Sequence, residues 1–270
     1  MLVFTDDILC CSTDPMRILS FIDQHFNLKD GSIEAPKRYL GADVGKMRVP
    51  DNSSGKEYWY MGSAHYVKEA IRNVETWLDK KGRMLKTKAA GVFPSAWIPE
   101  LDGTPLISDP DLINYYQQQI GVLRWIVELG RIDITCEVSM MSSHLAMPRV
   151  GHLHQVYRIF GYLKLHHNAE MVFDPTVPQI NEEDFERRDW STSEMDQVGV
   201  EELPPNTPEL RGIGFVMRAF VDADHATDSM TRKSRSGFLV YLNSAPIYWM
   251  SKKQSSVETS SFGSEFTAMK

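Results

Sequence analysis

Apolar positions recur along this chain with two spacings, and the change from one to the other marks out its elements. At the start, Leu2, Val3 and Phe4 lead into Asp6 and Asp7, and Ile8 and Leu9 lead out; this predicts two short strands joined by a tight turn. Residues 15–26 place Ile18, Leu19, Ile22 and Phe26 on one helical face, with Thr13 or Asp14 to cap the helix and Pro15 suited to its first turn. Residues 37–49 and 57–62 predict a hairpin across the turn-rich stretch 50–55. A helix over 66–78 would turn Val67, Ala70, Ile71, Val74 and Leu78 inward. Residues 79–110 carry Pro94, Pro99, Pro105 and Pro110 and read as a linker or a surface arm. Helical spacing returns over 112–129, 132–147 and 151–167, the pattern of a packing unit without chemistry of its own. Residues 174–210 are polar and acidic and read as a connection. Strands at 216–224, 236–242 and 246–251 and a helix beginning near Glu258 complete the chain, an antiparallel meander that needs a helix on one face.

Composition narrows the class. The 270 residues are 42% hydrophobic and 24% charged, ordinary for a globular protein. Mean hydropathy is −0.31, and no apolar run reaches the roughly 18 residues of a membrane-spanning helix, so no membrane partner is expected. The N-terminus has no basic segment of a secretory signal. Cys10, Cys11 and Cys136 form no metal-ligand pattern, and the odd count argues against a disulfide scaffold. The expectation is an intracellular protein, in a cytoplasmic particle or the nucleus, and not a secreted one.

Net charge is −7, a mild argument against nucleic-acid binding. The charge is uneven, however. Lys80, Lys81, Arg83, Lys86 and Lys88 form one basic run; Arg232, Lys233 and Arg235 form a second, and Lys252 with Lys253 a third. Such a run is either a solvated face or a phosphate-contacting one. His144, His152, His154, His166 and His167 lack a compact ligand spacing and read as helix-surface or cap residues.

Two places carry candidate chemistry. Adjacent strand residues point to opposite faces, so Asp6 and Asp7 cannot share one core; they are either a solvated turn or part of a divalent-metal site on a rigid hairpin. Asp222, at the end of a strand, and Glu265, on the helix that follows the meander, could converge above the sheet. Paired carboxylates repel unless a cation compensates, and a pair of divalent metals is the usual solution for phosphodiester hydrolysis.

The residues around both places resemble one family. Phe4-Thr5-Asp6-Asp7 is similar to the catalytic hairpin of reverse transcriptases, and Lys37-Arg38-Tyr39-Leu40-Gly41-Ala42 after it to the family's Leu-Gly hairpin. Phe220-Val221-Asp222-Ala223-Asp224-His225-Ala226, Arg232-Lys233-Ser234-Arg235-Ser236-Gly237-Phe238, Trp249-Met250-Ser251-Lys252-Lys253-Gln254 and Ser264-Glu265-Phe266 resemble the ribonuclease H domain of copia-type retrotransposon polyproteins. The middle, with Gln119 to Trp125 and Gly130-Arg131-Ile132-Asp133-Ile134, is similar to the stretch between them. His225 stands where the family often has Trp, and Gly263 where it often has Glu.

The resemblance implies an α+β fold. Residues 1–62 would be the C-terminal part of a reverse transcriptase palm with a primer-grip hairpin, and 63–110 a thumb-like helix with a basic arm. Residues 111–210 would be a helical connection and acidic linker, and 211–270 the N-terminal part of a truncated ribonuclease H-like domain. It implies that Asp6, Asp7, Asp222 and Glu265 are catalytic ligands of Mg²⁺ (or Mn²⁺). It implies that Tyr39, Leu40 and Gly41 position a primer end, and that Lys80, Lys81, Arg83, Lys86 and Lys88 track nucleic-acid backbone. The implied partners are an RNA template, a DNA primer, their hybrid, deoxynucleotides and the rest of the polyprotein. The family's upstream palm Asp and its third ribonuclease H carboxylate are not in the chain. The expectation is therefore a chain inactive alone, cut from a working polymerase–ribonuclease H. A decayed element, or a recruited nucleic-acid- or protein-binding module without catalysis, are the alternatives.

Overall fold

The computed structural model describes residues 2–4, 7–49, 55–87, 91–94, 97–179, 204–207 and 214–270. Asp6, Lys88 and most of the acidic connection lie outside them. The fold is mixed α+β with antiparallel sheets. Strands β1 (Leu2–Phe4) and β2 (Asp7–Leu9) form the first hairpin, with Leu2 opposite Leu9 and Phe4 opposite Asp7. Helix α1 (Pro15–Phe26) follows at the predicted bounds. Asp14 caps it by accepting from the Arg17 amide, and Asn27 ends it at φ 50°. No residue of α1 is buried.

Strands β4 (Ala42–Arg48) and β5 (Glu57–Gly62) make the predicted hairpin, but the strand expected over 37–49 is broken by a turn at Leu40 and Gly41, which folds β3 (Arg38–Tyr39) back onto β4. Strand β6 (Glu170–Phe173) then pairs with β5, so four strands run in the order β3-β4-β5-β6. The sequence showed no sign of β6, a four-residue strand. Its pairing joins the end of the helical segment to the β3-β4-β5 sheet.

Helices α2 (Ala64–Asp79), α3 (Pro110–Glu128), α4 (Thr135–Ser142) and α5 (Val150–Leu165) build the main core. Val67, Val74, Ile120, Leu123, Ile126, Val156, Phe160 and Leu163 are almost fully buried there. Each contributes on the order of 1.5–3 kcal/mol by leaving water. The predicted helix over 132–147 is shorter: Ile132–Ile134 is a 3₁₀ turn, and α4 ends at Ser142. Asp133 is drawn back onto Arg131 at the start, and Ser142 donates its hydroxyl to the Val138 carbonyl at the end.

The stretch after α2 is no free linker. Leu85, Val92 and Ile107 are buried in the helical core. Asp102 fastens this arm to the start of α5: its carboxylate accepts from Trp97 Nε1 at 3.2 Å, from the Thr104 amide at 2.9 Å and from the Thr104 hydroxyl, whose oxygen accepts from the Gly151 amide at 2.7 Å. Only glycine fits at 151, because a Cβ there would stand 1.8 Å from Asp102 Oδ2.

Strands β7 (Met217–Asp224), β8 (Arg235–Leu242) and β9 (Ala245–Lys253) form the meander, and α6 (Ser261–Met269) follows. Asn243, at φ 54°, makes the β8–β9 turn. The meander rests on the helical core: Trp249 Nε1 donates to the Val127 carbonyl at 3.0 Å, and Arg235 Nη1 to Ser139 Oγ at 2.5 Å.

Candidate active site and nucleic-acid interface

Of the first carboxylate pair, Asp7 opens β2 and is exposed, and Asp6 lies outside the described residues. The β3–β4 hairpin turns at residues 40–41. Leu40 and Gly41 take φ of 51° and 86°, the two positive values that a two-residue hairpin turn requires. A Cβ on Gly41 would meet Tyr66, Trp125 and Leu129 at 3.5–3.9 Å, so the turn leans on α2 and α3. Tyr39 stands opposite Ala42 at its base.

The basic run leaves α2 at its C-terminus. Lys80, Lys81, Arg83 and Lys86 are all exposed. Lys81 Nζ lies 4.4 Å from the Trp77 ring centroid, a cation–π contact that holds its stem against the helix.

At the other end, Asp222 and Asp224 share one face of β7, as residues two apart in a strand must. With Arg235, Trp249 and Ser251 from the sheet and Thr135 and Cys136 from α4, they line a pocket of about 270 Å³. Asp224 is directly opposite Arg235. Glu265 is not among the lining residues. The strand's other face belongs to α6. Ala223 is buried there opposite Ser236, and Gln254 Nε2 donates both to Ser236 Oγ (3.1 Å) and to the Ser264 carbonyl (2.9 Å). The structure thus brings Asp222 together with Asp224, while α6 packs against the opposite side. Among the described residues no three His, Cys, Asp or Glu side chains converge on a point. A hard divalent cation takes about six oxygens. The pocket offers it two carboxylates and an opposing arginine, which is not a full donor set.

Several polar residues that hold this region together were not legible beforehand. Ser264 Oγ sits within 2.6 Å of His225 Nδ1 and 2.9 Å of Ser234 Oγ, and Ser234 Oγ accepts from the Ala226 amide. This chain ties α6 to the turn after Asp224. Asp228 accepts from the Met230 and Thr231 amides and pairs with Lys253. Burial pushes its pKa up, but the Lys253 ammonium and the Thr231 amide outweigh burial and hold it well below the usual carboxylate range. An Asp followed at two and three residues by turn-forming amides was the available signal.

Arg131 is 1% exposed and makes a two-pronged ion pair with Asp133, at 2.9 and 2.7 Å; Tyr162 donates to the same carboxylate at 3.0 Å. Burial raises the Asp133 pKa, and Arg131 more than reverses that. Of the histidines read as surface or cap residues, His152 is interior and His144 is half-buried. His152 is 2% exposed; its Nδ1 accepts from the Arg149 amide, so Nε2 carries the proton and donates to the Pro99 carbonyl at 2.9 Å. The His144 ring lies 4.0 Å from that of His152. Burial first, then His152 and Lys253, push the His144 pKa down to about 4.

Against known proteins, the whole chain aligns with the retrovirus-related Pol polyprotein from transposon RE1 of Arabidopsis thaliana, 26% identical over 274 residues. It aligns equally with that of transposon RE2 from the same plant, 26% identical over 280 residues. These homologues are transposon Pol polyproteins. The chain spans 15% of the length of each and aligns with one stretch of it. A further relative, secreted RxLR effector protein 161 of Plasmopara viticola, is 26% identical over 154 residues, 57% of this chain and 83% of that protein. No family model and no solved structure matches the chain. Among the described residues no helix is long and apolar enough to cross a membrane.

Proposed function

We propose that the chain is the part of a copia-type Pol polyprotein that runs from the end of the reverse transcriptase palm into the ribonuclease H domain. The parent protein copies RNA into DNA and degrades the RNA of the hybrid. The observation that carries this reading is the order of two carboxylate motifs in a chain that aligns over its whole length with part of transposon Pol polyproteins: Asp6-Asp7 near the start of the sequence, then Asp222 at the end of a meander strand. The Leu40–Gly41 turn supports it, because Gly41 takes a positive φ that glycine accepts without strain.

In this reading Mg²⁺ or Mn²⁺ would supply phosphoryl-transfer chemistry, with Asp6 and Asp7 proposed as ligands in the polymerase half and Asp222 in the other; Glu265, on the helix packed against the opposite face of β7, is not assigned to that ion. The described residues fall short of a complete centre at Asp222, and no step is derived through the ion. The chain's own contributions are local. Asp222 and Asp224 line one small pocket, Arg235 stands across the strand pair from Asp224, and the polar chain through Ser264 fixes α6 to the turn after β7. Tyr39, Leu40 and Gly41 are proposed to seat a primer end. Template, primer, hybrid, deoxynucleotides and the remaining polyprotein are the proposed partners, in a cytoplasmic particle or the nucleus.

Primer extension and hybrid-RNA cleavage test the reading, measured with and without Mg²⁺ on this chain and on one extended through the flanking reading frame. Metal-dependent activity in the extended protein is expected; its absence in a folded protein would reject the proposal. A second reading, a recruited binding module without catalysis, is favoured by the effector protein, most of whose length aligns with just over half of this chain.

A further inference from the structure

The arm that follows α2 carries its charge in an unusual setting. The chain as a whole has 36 acidic against 29 basic residues. Most cations with a short contact to a carboxylate are easily found: Lys37 with Glu34, Arg131 with Asp133, Lys164 with Glu75, Lys253 with Asp228. Among the described residues no such ion pair involves Lys80, Lys81, Arg83, Lys86 or Arg158. In an acidic protein, neighbouring cations left unpaired form a local field of opposite sign.

The arm is also fixed in place. Leu85 is buried in the helical core, between exposed neighbours at 84 and 86. Arg83 Nη2 stands 3.1 Å from His154 Nε2 on α5, and the Lys86 carbonyl lies where a Cβ on Gly161 would come within 2.3 Å of it. The arm therefore runs beside α5 in the same direction as the helix. Farther on, Arg158 Nε donates to the Val92 carbonyl at 3.3 Å and clasps the returning chain. Seven helical residues from 154 to 161 rise about 10 Å. Phosphates along one strand are spaced about 3.4 Å in rise, so a stretch of this length spans a few phosphates.

Arg83 carries only donors, so a His154 bonded to it must be neutral at Nε2 and act as acceptor. Burial and the Arg83 charge favour that neutral form. The bond leaves the remaining guanidinium donors of Arg83 free of any carboxylate among the described residues.

We propose that the arm and α5 form one phosphate-binding ribbon for an RNA–DNA hybrid, in which Arg83 and Lys86 contact the backbone and His154 is a positioning residue that aims Arg83. The inference rests on the nucleic-acid partner of the proposed function, and it adds His154 and the course of the arm to it. It is independent of both carboxylate sites.

The test is fluorescence anisotropy of the full chain with a labelled RNA–DNA hybrid in EDTA, across salt from about 50 to 200 mM. Without metal, failure here is separate from failure of catalysis. Arg83→Ala and Lys86→Ala are each expected to weaken binding by about threefold or more and to lower the salt slope by about 1. His154→Ala weakens binding with little change of slope, and His154→Gln, which keeps an acceptor, restores it. Arg124→Ala on α3 serves as the control, with no effect expected; circular dichroism confirms that each variant is folded. No binding by the wild-type chain, or equal losses for Arg83→Ala and Arg124→Ala, would overturn the ribbon. An unchanged affinity in His154→Ala would overturn the positioning role.

Discussion

Gly161 on α5 and Lys86 on the arm approach so closely that a Cβ at 161 would stand 2.3 Å from the Lys86 carbonyl oxygen. The obstacle is backbone, which cannot rotate aside as a side chain could. Alanine at 161 gains about 1 kcal/mol in helix propensity over glycine, but overpacking of this kind costs about 1–3 kcal/mol. Gly161→Ala is therefore expected to lower the urea midpoint and to raise amide exchange at residues 85–87. An unchanged midpoint would mean that the arm does not lie on α5.

Arg131 and Asp133 yield a larger effect. The guanidinium is 1% exposed and, in Asp133→Asn, loses the one carboxylate it pairs with among the described residues. Uncompensated buried charge costs about 3–5 kcal/mol, and the partial exposure of Asp133 puts the expected loss near the lower end, about 3 kcal/mol. Arg131→Met, which removes the charge and keeps much of the volume, should cost less. Urea unfolding of the two variants decides the order.

Acid should weaken the fold before the carboxylates titrate. His144 has a pKa of about 4 in the folded chain against an ordinary 6.5. The unfolded chain thus takes up its proton first, and the stability His144 contributes is full above about pH 6.5 and lost as pH falls toward 4. Asp133 and Asp228, whose values are lowered, lose their contributions only as pH falls further. The groups acting on His144 are His152, Lys253, Arg235 and Asp228. His144→Gln should flatten the fall in urea midpoint between pH 6.5 and 4.5; a slope equal to wild type would assign the acid response elsewhere.

Ser264→Ala removes the oxygen that joins His225 to Ser234 beneath α6. Loss of these buried bonds is expected to cost about 1–2 kcal/mol and to free α6, seen as faster amide exchange over residues 261–269. Protection equal to wild type there would show that Gln254 alone holds the helix.

Much of the fold could be read from spacing. Helix α1 has its predicted bounds because Asp14 and Pro15 mark a start that needs no tertiary help. The meander follows from alternation, whereas the turn at 40–41 did not show, because Leu40 takes a positive φ that leucine rarely adopts. What else stayed hidden depends on partners distant in sequence. Strand β6 exists because β5 offers it an edge. The arm looked like a linker because its buried residues, Leu85, Val92 and Ile107, are too widely spaced to show a period. His152 is interior because the Pro99 carbonyl, far away in the chain, meets its ring. In the candidate sites, the residue types at 222 and 265 were visible, but the face each one takes was not. Alternation along β7 sends Asp222 and Asp224 toward α4, while α6 lies under Ala223.

The most direct test of the proposed function is a crossed comparison of Asp222→Asn and Asp6→Asn in the chain extended through its flanking reading frame. The account predicts that Asp222→Asn loses Mg²⁺-dependent cleavage of hybrid RNA and retains primer extension, and that Asp6→Asn does the reverse. Survival of both activities in both variants would contradict it.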